Sequence, residues 1–320
     1  TIVALISALN VIKSGYQVAF MAPTEILANQ HYLLAKKIFP NSIKFDLLTS
    51  KTDAKIKKNI QINLNNGIIN MVFGTHALFQ KKTNFFNLGY IVIDEQHKFG
   101  VKQRKSLSDK GGDNCDVLLM SATPIPRTLT MTIYGDMDLS IIKDKPKLRK
   151  EIITYSKIES KLNEVVNYVK KEIQNDNQVF WVCPLIEEST KIDHQSAIKK
   201  YEFLKKIFPE KVAILHGNMT SEHREIILEK FLKKKYKILV STTIIEVGID
   251  FPNANVIVIE NANKFGLSQL HQLRGRVGRG SKQGTCILMF KSNLSNDARK
   301  RINILKKSND GFYISEEDMK

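Results

Sequence analysis

Ile91-Val-Ile-Asp-Glu-Gln-His97 decides the reading of this chain. Three β-branched apolar residues run directly into two adjacent carboxylates, the pattern of a buried parallel strand that delivers acidic groups to its carboxyl end, where open α/β sheets bind ligands. In that position Asp94 can hold Mg²⁺ against the phosphates of a nucleotide, and Glu95 can orient or deprotonate an attacking water. The same pair could instead cap a following helix, so the remainder of the chain has to choose between the two.

The choosing segment is Gln272-Leu-Arg-Gly-Arg-Val-Gly-Arg279. Arg276 and Arg279 stand three apart, on one face if the segment is helical, and Gly275 and Gly278 allow close backbone approach. Guanidinium groups so held can stabilise the charge that develops on a transferring γ-phosphoryl group, a contribution worth about 10³ to 10⁵ in rate. A solvated or phosphate-contacting basic face is the alternative for either arginine alone. The acidic motif upstream favours the catalytic reading.

Length and composition set the frame. At 320 residues the chain is long enough for two domains with separate cores. Its 42% hydrophobic and 25% charged residues are those of a globular protein. No apolar run approaches the roughly 20 residues that span a bilayer, and no signal-peptide pattern opens the chain. Cys115, Cys183 and Cys286 are widely spaced, which fits neither a zinc site nor a disulfide framework and suits a reducing compartment. The net charge of +17 points to a polyanionic partner, although an A+T-rich genome would produce the same excess of lysine. Membrane-surface binding has less support, since no lysine-rich amphipathic helix with an aromatic face stands out.

Periodicity predicts an alternation of helices and strands in the βαβ manner. Ile2, Leu5, Ile6, Leu9 and Ile12 have helical spacing, ended by Gly15. Strands are predicted over 17–22, 43–49, 68–73, 90–94 and 116–120. Residues 143–150 lack apolar periodicity and contain a proline, as an exposed linker does. A second series follows, with strands over 151–155, 178–183, 211–215, 237–241, 255–260 and 284–290, and a helix over 221–234. Each half reads as a doubly wound parallel sheet in an α/β fold. One half carries the acidic pair and the other the arginines, which predicts a nucleotide cleft between two domains.

With both halves in view, the chain resembles the superfamily 2 helicases and translocases. Collinear segments carry the likeness: Ala22-Pro-Thr-Glu25, Gly74-Thr-His76, Ser121-Ala-Thr123 and Thr242-Thr-Ile-Ile-Glu-Val-Gly-Ile-Asp250, together with the two motifs above. The resemblance implies two tandem RecA-like domains, residues 1–145 and 146–292, followed over 293–320 by the start of a helical coupling segment. It implies ATP and Mg²⁺ as cofactors, with Thr1 and Asp94 at the metal, Gly248 and Asp250 lining the cleft, and Gln272 joining Glu95, Arg276 and Arg279 as catalytic residues. Pro23, Thr24, Gly74 and Thr75 would touch the nucleic-acid backbone, while His97, Ser121, Thr123 and Thr242 would couple hydrolysis to movement. Short hydroxyl side chains and backbone N–H groups at loop tips suit phosphate oxygens.

Within the superfamily, Ile93-Asp-Glu-Gln-His-Lys-Phe-Gly-Val101, Thr123-Pro-Ile-Pro-Arg-Thr-Leu-Thr-Met131, Trp181-Val-Cys-Pro-Leu-Ile-Glu-Glu-Ser189 and Ser308-Asn-Asp-Gly-Phe312 are similar to the RecG family of branched-DNA translocases. The transcription-repair coupling translocases share the stretch from Phe265 to Arg279 but usually carry Glu where this chain has Gln96. The RecG resemblance implies branched double-stranded DNA such as forks and four-way junctions, a single-strand DNA-binding protein as partner, a monomer, and a bacterial cytoplasm or a plastid.

The chain departs from the pattern in lacking a G-x-x-x-x-G-K-[ST] phosphate loop and the family's N-terminal wedge domain. Thr1 resembles the hydroxyl residue that closes such a loop, so a Gly-Lys is expected immediately upstream in a longer protein, and the piece alone is expected to bind nucleotide poorly. A DNA-binding clamp that has lost the motor, and an RNA helicase of the same superfamily, remain as alternatives. Other single residues have blander readings. His31, His76, His194, His216, His223 and His271 are not spaced as a metal site, and Trp181 lies in an apolar strand that suits a core. Asp310-Gly311 reads as a turn with glycine at positive φ, followed by Phe312 as an apolar anchor.

Overall fold

A computed structural model describes residues 1–80, 82–95, 110–112, 115–121, 138–142, 150–184, 190–242, 251–280 and 282–318. The described residues up to Ser121 form one compact unit and those from Asp138 onward form a second.

The first unit runs α1 (Ile2–Lys13), β1 (Gln17–Met21), α2 (Glu25–Ile38), β2 (Phe45–Leu48), α3 (Ala54–Asn65), β3 (Met71–Gly74), a 3-10 turn (His76–Phe79), β4 (Leu88–Ile93) and β5 (Asp116–Leu119). The strands lie in the order β2-β3-β1-β4-β5, and every pair is parallel. Both faces of the sheet are covered, so β1, β3 and β4 are buried from end to end. Side chains alternate between the two faces. Val18, Phe20, Phe73 and Val92 pack with Ala4, Leu5 and Ala8 of α1 and Ala35 of α2, while Ala19, Met21, Val72, Ile91 and Ile93 pack with Ile60 and Leu64 of α3. Helix ends follow local chemistry: Thr24 caps α2 through Leu27 N–H, and Asp53 caps α3 through Lys55 and Ile56 N–H.

The second unit runs β6 (Ile153–Ile158), α4 (Leu162–Gln174), β7 (Gln178–Val182), α5 (Thr190–Ile207), β8 (Val212–Leu215), α6 (Ser221–Leu232), β9 (Ile238–Ser241), β10 (Ala254–Ile259), α7 (Leu267–Arg274), β11 (Thr285–Phe290), α8 (Asn296–Lys307) and α9 (Gly311–Asp318). Its strand order is β6-β11-β10-β7-β9-β8, again parallel throughout. Trp181 is fully buried among Val165, Val169, Val240 and Val258 on one face, as the core reading of this residue expects. On the other face Phe180, Phe231 and Phe251 form a triangle with ring centroids 5.4–5.6 Å apart.

The central strands of both sheets open on a buried glutamine. Gln17 Nε2 donates to Leu64 O and Ile69 O, joining β1 to the end of α3 and the approach to β3. Gln178 Nε2 donates to Phe231 O and Tyr236 O, joining β7 to the end of α6 and the approach to β9.

Among the element starts that differ from the periodicity, that of β3 has a local cause. Ile68 and Ile69 precede β3 because their N–H groups return to Asn63 O at the end of α3, helped by Gly67 at φ +71°. Likewise α9 begins where a turn is predicted. Gly311 is its first residue, absent from the positive-φ glycines, and Asp310 Oδ1 accepts from Phe312 N–H at 2.9 Å as a helix cap. Phe312 is 37% exposed, and Ile314, at 1%, is the apolar anchor instead.

Candidate active site

The first sheet changes direction between β1 and β4: the chain leaves β1 for β2 on one side, and β4 lies on the other. The carboxyl ends flanking such a switch point form a crevice, and the residues that follow β1 and β4 are Ala22-Pro23-Thr24 and Asp94-Glu95. Asp94 N–H donates to Met21 O at 2.9 Å, which stitches the acidic pair to the end of β1. Asp94 Oδ1 accepts from Glu95 N–H at 2.9 Å, and Oδ2 accepts from His31 Nε2 at 2.8 Å. Glu95 is buried, with φ at +50°. A left-handed backbone at a glutamate is strained by about 1–3 kcal/mol and is found where surrounding structure imposes it, often at reactive sites.

Two carboxylates at one loop provide the hard oxygen donors that Mg²⁺ prefers, and each Asp94 oxygen keeps a second lone pair beyond its single donor. The donor set therefore fits the cation. Helix α1 returns to β1 through the short Ser14–Tyr16 turn, with Gly15 at φ +88°, and packs against the sheet with its amino terminus at the carboxyl edge. Thr1 occupies its N-cap position, accepting from Leu5 N–H through its carbonyl and making no side-chain cap. First-turn N–H groups so aimed suit phosphate oxygens.

The neighbouring loops have structural duties of their own. Thr24 Oγ1 accepts from Leu27 N–H at 3.3 Å, so this hydroxyl is a helix cap, with Pro23 half-buried before it. Glu25 Oε1 accepts from Ser50 Oγ at 2.7 Å. Gly74 ends β3 where a Cβ would sit 2.4 Å from Leu48 O and 2.9 Å from Leu78 Cγ, so only glycine passes. Thr75 follows, buried, and His76 is exposed. Ser121 is half-buried just beyond Met120, whose N–H donates to Ile93 O. His97 and Thr123 lie outside the described residues, as do Gly248 and Asp250.

In the second unit Thr242 is fully buried beyond β9, its N–H donating to Leu215 O; its hydroxyl and that of Ser241 have no partner among the described residues. The condition under which Arg276 and Arg279 would share one helix face is not met. Helix α7 carries Gln272 and ends at Arg274, and Gly275 is its C-cap. Arg276 and Arg279 therefore sit in a non-helical turn and share no helix face. The break follows from Gly278 at φ +67°, packed with its Cβ position 3.1 Å from Gly284 Cα, and from Gly280, whose Cβ would meet Pro252 O at 2.5 Å. Gly275 has no such need, the nearest atom standing at 3.4 Å. Arg276 is 7% exposed, and Arg279 Nε donates to Gly275 O at 3.3 Å.

Three features escaped sequence reasoning. His31 touches the acidic pair; its signal is a polar ring on the buried stripe Leu27, Ala28, His31, Ala35 of α2. Glu260, just past β10, accepts from Trp181 Nε1 at 2.9 Å and pairs with Lys200 at 2.7 Å; burial, and after it the charge of Glu260, drives the Cys183 thiol upward. Finally, Arg274, 2% exposed, donates to Leu305 O at 2.7 Å and Ser308 O at 2.9 Å and reaches His271 Nδ1 at 3.0 Å. Asp318 of α9 accepts from Leu267 and Ser268 N–H, so α8 and α9 hold both ends of α7.

Known proteins share this arrangement. Residues 1–132 match the DEAD/DEAH box helicase family, and residues 160–281 match the helicase conserved C-terminal domain. The whole chain aligns at 50% identity with the ATP-dependent DNA helicase RecG of Aquifex aeolicus and at 46% with that of Thermotoga maritima, covering 41% of each. It also superposes, with a TM-score of 0.84 and 42% identity, on a RecG chain bound to a three-way DNA junction, covering all of this chain and 42% of that one. Dbp5 of S. cerevisiae, at 18% identity and TM-score 0.69, shares the fold. The chain thus spans about two fifths of the RecG proteins it matches. Two parallel-sheet units, two helicase domain models in order and this end-to-end identity show that the chain belongs to the RecG family.

Proposed function

We propose that this chain is the ATP-driven motor of a branched-DNA helicase, hydrolysing ATP with Mg²⁺ to move on duplex DNA and to remodel forks and Holliday junctions in recombination and repair. The acidic pair at the switch point of the first sheet carries the reading, in a chain similar throughout to proteins named ATP-dependent DNA helicases. Asp94 ligates the cation together with Thr1, whose hydroxyl makes no cap contact. Glu95 orients the attacking water and takes its proton. Bound Mg²⁺ supplies charge neutralisation at the β- and γ-phosphates. Arg276 and Arg279 stabilise charge on the transferring group, Gln272 assists them, and Gly248 and Asp250 line the nucleotide site. Pro23, Thr24, Gly74 and Thr75 meet the DNA backbone, and His97, Ser121, Thr123 and Thr242 couple hydrolysis to movement.

Residues 1–145 and 146–292 are assigned to the two RecA-like motor domains and 293–320 to the start of the coupling segment. The protein acts as a monomer at the nucleoid of a bacterial cytoplasm, with single-strand DNA-binding protein as a partner; the two RecG relatives whose organisms are named above are bacterial. The test is the ATPase of the full-length protein with linear duplex, fork, four-way junction and RNA. Forks and junctions should stimulate turnover most, and a model fork should be converted to a four-way junction in an ATP-dependent manner. Stimulation by RNA alone, or DNA binding without turnover, would defeat the reading in favour of an RNA helicase or a clamp.

A further inference from the structure

We infer that His31 is a positioning residue for the cation, fixing the rotamer in which Asp94 presents its carboxylate. The inference rests on the reading of Asp94 as the Mg²⁺ ligand. A lone aspartate past a strand end rotates freely about its terminal torsion, which is broad. Mg²⁺, however, demands near-ideal octahedral geometry at about 2.0–2.1 Å. Here one donor engages each oxygen: Glu95 N–H at Oδ1, 2.9 Å, and His31 Nε2 at Oδ2, 2.8 Å. Two donors on different oxygens fix the carboxylate plane and leave one lone pair on each for the metal.

The imidazole is itself immobilised. His31 is 5% exposed on the buried stripe of α2, and its ring lies 4.7 Å from that of Phe20, which stands 5.3 Å from Phe73. The aromatic ladder thus runs from β3 across β1 to the histidine and ends on the cation ligand. Helix α2 starts at Glu25, directly after Pro23-Thr24. The histidine therefore also links the loop assigned to the DNA backbone with the loop assigned to the metal. A histidine that merely completes the core would need neither the carboxylate nor this orientation. Outer partners of metal ligands typically account for about 10- to 100-fold in affinity.

The test compares His31→Gln with His31→Met in the full-length protein. Gln and Met have similar length, and only Gln can donate a hydrogen bond to Asp94. Mn²⁺ binding in the presence of a non-hydrolysable ATP analogue is read by electron paramagnetic resonance, alongside nucleotide affinity without metal and thermal stability. His31→Met should weaken Mn²⁺ by about tenfold or more, leaving metal-free nucleotide affinity unchanged, whereas His31→Gln should stay within about threefold of the parent. Should His31→Met fail to fold, His31→Phe, which preserves ring packing against Phe20, takes its place. Equal metal affinity in Met and Gln variants, or equal loss in both, overturns the positioning role. Asp94→Asn is the control that separates the two claims: unchanged Mn²⁺ affinity there removes Asp94 as the ligand, and the inference falls with it.

Discussion

Replacing Arg274 by leucine removes a guanidinium that is 2% exposed and donates to Leu305 O and Ser308 O. Leu305 lies in the last turn of α8, where carbonyls have no partner further along the helix, so this side chain supplies a missing hydrogen bond. The buried Leu305 carbonyl left unsatisfied costs about 1–3 kcal/mol, and the half-buried Ser308 carbonyl adds a smaller amount. Against this stands the release of a buried charge, whose partners among the described residues are carbonyls and an imidazole and whose proton affinity burial already lowers. The net expectation is a loss of about 1–3 kcal/mol, which lowers the melting temperature of the second unit. Arg274→Lys, keeping charge but not the fork, should fall between. Calorimetry measures the unfolding, and hydrogen exchange locates it: amides of α8 and α9 should open faster while β10 and β11 keep their protection. A leucine variant that melts at or above the parent temperature would refute the reasoning, showing that the desolvation of Arg274 outweighs its hydrogen bonds.

Glu95→Gln in the full-length protein should lower ATP turnover by about 10²- to 10⁴-fold while ATP affinity, measured with a fluorescent analogue, changes little; unchanged turnover with saturating forked DNA would remove Glu95 as the base. Alanine at Arg276 or Arg279 should depress hydrolysis by about 10³-fold without altering the salt dependence of DNA binding, and a change confined to the salt slope would assign that arginine to DNA instead. Gly74→Ala should cost about 1–3 kcal/mol in denaturant melts because its Cβ meets Leu48 O at 2.4 Å, whereas Gly275→Ala, with nothing nearer than 3.4 Å, should stay within about 0.5 kcal/mol of the parent. Burial pushes Cys115 up to about 11 and Cys286 up to about 12, so at pH 8 roughly one Cys115 in a thousand is thiolate. A thiol reagent should therefore label Cys115 slowly and spare Cys183 and Cys286 until unfolding, and rapid labelling of Cys286 would contradict its burial.

Much of this architecture was legible in the residues because parallel strands buried on both faces are continuous apolar runs, and the acidic pair interrupts one of them visibly. Strand β4 and its carboxylates are found where the periodicity expects them. Whether Arg276 and Arg279 share a helix face was left open by the sequence for a local reason. Gln272-Leu-Arg has helical spacing, but Gly278 at positive φ and the tight approach of Gly280 to Pro252 are tertiary facts that spacing does not record. Asp310-Gly311 misled, since the same dipeptide serves a turn or a helix start, and only the burial of Ile314 decides. His31 was hidden because its partner lies 63 residues away, and no spacing rule joins them.

The buried glutamines at the heads of β1 and β7 bear on how such a protein tolerates its own ionic surroundings. If a chain with a net charge of +17 binds DNA as proposed, rising salt must release it, because condensed counterions compete for the same lysines and arginines. The amides of Gln17 and Gln178 are neutral and buried, joining the central strand of each sheet to its neighbouring helix–strand connection through bonds that dissolved ions neither reach nor screen. On the proposed function, concentrated electrolyte would strip the nucleic acid while both sheets keep their internal ties, so the grip would loosen and the scaffold would not.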